Sequence, residues 1–249
     1  MTITHLLMDI EGTTCPVSFV AEVLFPYASA QMGAYLAAQA HAPEVGHLLQ
    51  AVDEAWAIDR DPEAQKLRHT WDATVGNGST EGLAEYLQQL IRRDIKLTAL
   101  KDLQGRIWRA GYASGEIVAP LFADVPAALE RWHQQGYCLG VYSSGSVPAQ
   151  QLLYGHCQSG DLRGLFSHWF DTRVGAKQEP NSYQAIAIEM QTAPSSVLFI
   201  SDSLAELEAA DQAGMQVLFS DREGNPGRES GRFERISDYG LLDPGHGFQ

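Results

Sequence analysis

I-T-H-L-L-M-D-I-E-G-T-T, residues Ile3 to Thr14, is the stretch that decides the fold. Ile3 to Ile10 is a short apolar run that reads as a buried strand, and E-G-T-T stops it as a turn. Asp9 stands near the end of that strand. Four later runs end in the same manner: Cys138 to Tyr142 before S-S-G-S, His168 to Asp171, Val197 to Ile200 before S-D-S, and Val217 to Phe219 before Ser220 and Asp221. Helical patterns lie between them. Asp124 to Gln135 places Asp124 at an N-cap, Pro126 in the first turn and Gly136 as a stop, and Leu204 to Ala213 ends at Gly214. Strands alternating with helices predict an α/β fold with a parallel sheet.

Residues Phe19 to Ser114 interrupt that alternation. Leu48, Leu49, Val52, Ala55 and Trp56 recur at helical spacing, as do Leu83, Tyr86, Leu87, Leu90 and Ile91. The pattern predicts a helical insert between the first strand and the rest of the sheet, with G-N-G-S-T (Gly76 to Thr80) as a loop inside it. The expected division is 1–18 plus 116–249 for the α/β core and 19–115 for the insert. After Asp221 the chain is rich in Gly, Pro and charge and reads as loop with a poorly ordered end.

The 249 residues carry 17 basic and 31 acidic side chains, a net charge of −14. That field repels phosphate backbones and anionic lipid heads, which argues against nucleic-acid and membrane partners. A small anionic substrate would need local positive charge. With 45% hydrophobic and 19% charged residues the chain has the balance of a globular protein. Cys15, Cys138 and Cys157 have no zinc-type spacing and read as reduced thiols, hence a cytoplasmic protein. No apolar leader or spanning segment is seen, and the default expectation is a monomer.

Ligands of open parallel sheets bind at the carboxyl ends of the strands. Asp9 and Glu11, Ser143 and Ser144, and Ser201 and Asp202 follow three strands and point to one composite site. Asp9, Glu11 and Asp202 offer hard oxygen donors suited to Mg2+, and Asp9 is a candidate nucleophile. Gly12, Thr13 and Thr14 offer turn amides and hydroxyls to an anion. Ser146 is expected to cap the helix after S-S-G-S, where free amides would hold a phosphate. Lys177, in G-A-K-Q-E-P-N, is a point charge for a phosphoryl group. Glu206 and Glu208 read as a solvated helix face, although Glu206 lies one turn beyond Asp202. The histidines show no metal-binding spacing. His69 and Trp71 of the insert read as surface and packing residues, and Trp56 and Trp108 as core.

The ordered series D-x-E-G-T, serine-rich turn, lone lysine and S-D resembles the haloacid dehalogenase superfamily. D-I-E-G-T-T-C-P-V-S-F-V (Asp9 to Val20), K-D-L-Q-G-R-I-W-R-A-G-Y-A-S-G-E (Lys101 to Glu116) and V-Y-S-S-G-S-V-P-A-Q (Val141 to Gln150) are similar to the enolase-phosphatases of methionine salvage. Glu11 stands where most phosphatases of the superfamily carry an aspartate, and Cys15 where a threonine or similar small residue is expected; it reads as a small filler.

The resemblance implies a Rossmann-like core with a helical cap inserted after the first strand. It implies a Mg2+-dependent phosphoric monoester hydrolase that is also an enolase. The substrate would be 2,3-diketo-5-methylthiopentyl-1-phosphate, enolised and then hydrolysed to the acireductone 1,2-dihydroxy-3-keto-5-methylthiopentene. Asp9, Glu11 and Lys177 would be catalytic. Ser143, Ser144, Lys177, Gly12 and Thr13 would bind phosphate. Asp9, Glu11 (through its backbone carbonyl) and Asp202 would hold one Mg2+. The alternatives are a phosphatase for another small ester, a metal-independent 2-haloacid dehalogenase attacking carbon, and a non-catalytic phosphate-binding protein. The acids at Glu11 and Asp202 favour phosphoryl chemistry.

Overall fold

The computed structural model describes residues 2–75 and 79–245. The chain divides into two compact units, one comprising the chain up to Val20 and from Val118 onward, the other Ala21–Ile117.

The first unit is built on a parallel six-stranded sheet in the order β3-β2-β1-β4-β5-β6. Its strands are β1 (His5–Met8), β2 (Cys138–Tyr142), β3 (His168–Phe170), β4 (Val197–Ser201), β5 (Gln216–Ser220) and β6 (Arg235–Ile236). β1 and β4 are near-continuous apolar runs because both of their faces are covered; Leu6, Leu7, Met8, Leu198, Phe199 and Ile200 are all fully buried. Helices α6 (Val125–Gln134), α7 (Val147–Gly155), α8 (Pro180–Glu189) and α9 (Leu204–Gln212) connect successive strands. Gly136, at φ +87°, ends α6 in the left-handed conformation that only glycine adopts freely.

Register places the site. Met8 pairs with Val141 of β2 on one side and with Ile200 of β4 on the other. The next residue, Asp9, therefore emerges between the ends of two neighbouring strands. Its N–H extends the ladder by donating to the Ile200 carbonyl at 3.0 Å. The strand order reverses at β1, and such a switch point is where open α/β sheets bind ligands. Strand β6 lies in the stretch expected to be loop; two residues are too few to show any periodicity.

The second unit comprises α1 (Phe25–Gln39), α2 (Pro43–Ile58), α3 (Pro62–Thr74), α4 (Thr80–Arg92) and α5 (Thr98–Ser114). The apolar spacing read from sequence is the buried face. Val45, Leu49, Val52 and Trp56 of α2 and Leu83, Tyr86, Leu87 and Leu90 of α4 share one core. Trp56 stacks on Tyr86 with ring centroids 4.8 Å apart and donates its indole N–H to the Ala64 carbonyl. Trp71 packs on Gly82, where a Cβ would fall 2.9 Å from its ring. Trp108 donates to the Leu24 carbonyl. These tryptophans serve packing, and His69 is exposed. Most of the expected G-N-G-S-T loop, residues 76–78, lies outside the described residues; Ser79 follows as the N-cap of α4, accepting from the Gly82 N–H. Among the described residues no helix is long and apolar enough to cross a membrane.

Candidate active site

Asp9 is buried, and Oδ1 takes both of its hydrogen bonds: from the Ile10 N–H at 2.8 Å and from Lys177 Nζ at 2.7 Å. Among the described residues Oδ2 accepts none. Lys177 Nζ also lies 2.7 Å from Glu206 Oε2, which in turn accepts from Ser201 Oγ at 2.9 Å. Glu206 is therefore not on a solvated face. It lies in the first turn of α9 and is turned inward, and Lys177 supplies the counter-charge that its burial demands.

Three hydroxyls hold the lysine loop. Tyr142 donates to the Gly175 carbonyl at 3.0 Å, Ser182 to the Ala176 carbonyl at 2.7 Å and Tyr183 to the Lys177 carbonyl at 2.6 Å. Gly175 adopts φ +149°, and a Cβ there would collide with Ser182 Oγ. Three consecutive carbonyls are thus pinned, and Nζ is aimed before any substrate arrives.

The turn after β1 closes on itself. The N–H groups of Thr13, Thr14 and Cys15 all donate to the Ile10 carbonyl at 3.2, 2.9 and 2.9 Å, and the Gly12 N–H donates to the Cys15 carbonyl at 2.8 Å. The amides of Gly12, Thr13 and Thr14 are consequently engaged within the turn instead of presented to an anion. Thr13 is fully buried with its hydroxyl unpartnered, and the Thr14 hydroxyl lies 2.7 Å from that of Tyr154. Gly12, at φ +67°, lets the turn sit against Asp202; a Cβ on Gly12 would lie 2.1 Å from Asp202 Oδ2. Cys15 is buried, and burial, then the charge of Glu11, push its thiol up to about 12, so it is an inert filler.

After β2, Ser143 is buried and Ser144 exposed. Ser143 Oγ accepts from the Gly145 N–H at 3.3 Å. The side-chain amide of Gln150 donates to the Gly145 carbonyl at 2.8 Å and the Phe170 carbonyl at 2.7 Å, tying the serine turn to the end of β3. Ser146 occupies the N-cap position of α7 without a side-chain bond. Asp171, which follows β3, replaces it, accepting from the Val147 N–H at 3.2 Å. Nothing local in sequence links residue 171 to a cap at 147.

The electrostatics are those of acids buried close to one another. Burial, and then the neighbouring Asp9, push Asp202 up to about 7; Glu11 adds to the effect. Burial and Asp9 do the same to Glu206, also to about 7. Burial alone would lower Lys177, but Asp9 and Glu206 outweigh it and hold the ammonium above its ordinary range. Among the described residues no three His, Cys, Asp or Glu side chains converge as a metal group. The donor set nevertheless suits a divalent cation: Asp9 and Asp202 bring hard carboxylate oxygens to the ends of the neighbouring strands β1 and β4.

Comparison with known proteins accords with this arrangement. The haloacid dehalogenase-like hydrolase family matches residues 3–214. The chain is 46% identical over 241 residues to the enolase-phosphatase E1 of Synechococcus sp. (strain CC9902), covering 97% of this chain and 98% of that one. It is 48% identical over 236 residues to the enolase-phosphatase E1 of Parasynechococcus marenigrum (strain WH8102), covering 95% and 96%. The crystal structure of the UTR4 protein from Saccharomyces cerevisiae superposes with a TM-score of 0.72 at 32% identity, covering 96% of this chain and 100% of that one. The chain belongs to the haloacid dehalogenase-like hydrolases and, within them, to the enolase-phosphatase E1 family.

Proposed function

We propose that this chain enolises 2,3-diketo-5-methylthiopentyl-1-phosphate and then hydrolyses the enol phosphate to 1,2-dihydroxy-3-keto-5-methylthiopentene, with Asp9 as the nucleophile. The observation that carries the reading is Asp9 at the end of the central strand, with Oδ1 bound by Lys177 and the Ile10 N–H, and Oδ2 taking no hydrogen bond among the described residues. Oδ2 attacks phosphorus, the bond from phosphorus to the substrate oxygen breaks, and an aspartyl phosphate forms. Glu11 gives its proton to the departing oxygen. The same carboxylate then takes a proton from water, which attacks the aspartyl phosphate and releases inorganic phosphate. Such acid–base help is typically worth ~10²–10⁴-fold. In this reading Ser143 and Ser144 bind transferring oxygens without adding charge, and the helical unit is assigned the role of a cap that excludes water.

Magnitudes favour a metal as well as the lysine. A phosphate dianion 4 Å from one carboxylate is repelled by roughly 8 kcal/mol at an effective dielectric of about 20, and a lysine at that distance cancels one such carboxylate. Asp202 and Glu206 leave more acid than Lys177 can balance. One Mg2+ would be held by the carboxylates of Asp9 and Asp202 and the backbone carbonyl of Glu11. When bound it would neutralise phosphoryl charge and polarise the carbonyl beside the carbon that loses its proton. The test is turnover of the diketone phosphate with Mg2+ present, followed by inorganic phosphate release and acireductone absorbance. Phosphate release from generic esters without turnover of the diketone would reduce the chain to a phosphatase.

A further inference from the structure

The residue after Glu11 is held from the far end of the chain. The Gly12 carbonyl accepts from Asn225 Nδ2 at 2.9 Å and from Ser220 Oγ at 3.2 Å. Both donors are buried. Ser220 ends β5, and Asn225 lies in the segment before β6. Behind them stands a braced assembly. Tyr239 donates its hydroxyl to Ser220 Oγ at 3.3 Å and its N–H to Asp124 Oδ2 at 2.6 Å. Arg222 pairs with the same carboxylate at 2.9 Å, donates to the Ser237 carbonyl and lies between the rings of Phe122 and Tyr239, 4.6 and 4.1 Å from their centroids.

Gly12 is the residue of this turn whose backbone is freest to rotate. Its N–H is held by Cys15 within the turn. Its carbonyl has two donors, Ser220 at the end of β5 and Asn225 after it, which fix the Gly12–Thr13 peptide and so anchor the turn one residue beyond Glu11. We infer that Asn225, seconded by Ser220, is a positioning residue that orients the turn carrying Glu11 through the Gly12 carbonyl. The inference rests on the reading of Glu11 as the group that protonates the leaving oxygen.

Leaving-group dependence tests it. An alkyl phosphate needs a proton on its departing oxygen; p-nitrophenyl phosphate leaves as a stable phenolate and does not. kcat/KM reports the steps up to aspartyl phosphate formation. Asn225→Leu keeps side-chain bulk and removes the donor. Misplacing an acid worth ~10²–10⁴-fold should lower kcat/KM for the alkyl phosphate by about tenfold or more, and for p-nitrophenyl phosphate by less than about twofold. Inhibition by inorganic phosphate should stay unchanged. Glu11→Gln, run in parallel, should show the same bias more strongly. Equal losses on both esters, or no loss on either, with the bias intact in Glu11→Gln, would overturn the role of Asn225 while leaving Glu11 in place. A Glu11→Gln enzyme indifferent to the leaving group would sink the reading of Glu11 and this inference with it. If Asn225→Leu does not fold, Ser220→Ala carries the same test, with a bias of about threefold expected from the longer of the two hydrogen bonds.

Discussion

Lys177→Met removes the counter-charge shared by two buried carboxylates while keeping an aliphatic stem of similar length. Nζ sits 2.7 Å from both Asp9 and Glu206, and each attraction is roughly 6 kcal/mol at an effective dielectric of about 20 before the cost of burying the ammonium is counted. Breaking a buried pair by deleting one partner usually costs about 3–5 kcal/mol net. Glu206 softens the loss by taking a proton, since it already stands at about 7. In the variant its folded pKa rises further above the unfolded value. An acid raised on folding gives stability present below its unfolded pKa and lost as pH rises through the folded one. The deficit against wild type should therefore be smaller at pH 6 than at pH 8, where about 3–5 kcal/mol is expected. Catalysis should suffer separately: a positioned group that stabilises developing charge is worth ~10²–10³ in kcat. Urea unfolding at the two pH values, phosphate release at saturating Mg2+ and calorimetric binding of inorganic phosphate measure the three effects. A kcat within tenfold of wild type, with unchanged phosphate affinity, would refute the assignment of Lys177; a deficit that does not change with pH would refute the counter-charge argument.

Asp9→Asn should stop hydrolysis yet leave enolisation. At saturating Mg2+, proton NMR in D₂O should show loss of the signal at the phosphate-bearing carbon with no phosphate released; exchange at the no-enzyme rate with metal bound would assign both steps to Asp9. With Mg2+ chelated, Asp202 and Glu206 make the protein less stable as pH rises from about 4 to about 7, so its melting temperature should fall across that window, and excess Mg2+ should remove the trend. A flat melting curve without metal would count against the charge deficit. Gln150→Leu unties the serine turn from β3 and should weaken inorganic phosphate inhibition by about tenfold, the order of one or two lost buried hydrogen bonds; unaltered inhibition would mean that the turn holds its shape without Gln150.

Strand ends were the legible part of this site. The apolar runs before Asp9, Ser143 and Asp202 are consecutive residues, so one glance at each suffices. Their convergence follows from parallel pairing on either side of β1. Glu206 differs from its sequence reading because an acid in the first turn of a helix can face solvent or core with the same local sequence. Which way it turns depends on Lys177, a tertiary partner. Asp171 in place of Ser146, and Asn225 on Gly12, are contacts of the same kind. The inward turn of the Thr13 and Thr14 amides is local, but E-G-T-T does not say whether a tight turn offers its donors outward or to its own carbonyl.

The central strand β1 precedes both of its sheet neighbours along the chain, which constrains the order of assembly. Roughly 190 residues separate His5 from its partner Val197, an interval of about 10–40 s at ordinary rates of translation. Throughout it H-L-L-M is an apolar segment with at least one open edge, and Cys138 provides the other neighbour only part-way through. The helices α1–α5, whose shared core lies wholly between Ala28 and Ile107, have time to form meanwhile. Nascent chains halted before residue 197 should therefore bind chaperones through the N-terminal segment, and chains extended past β5 should release them.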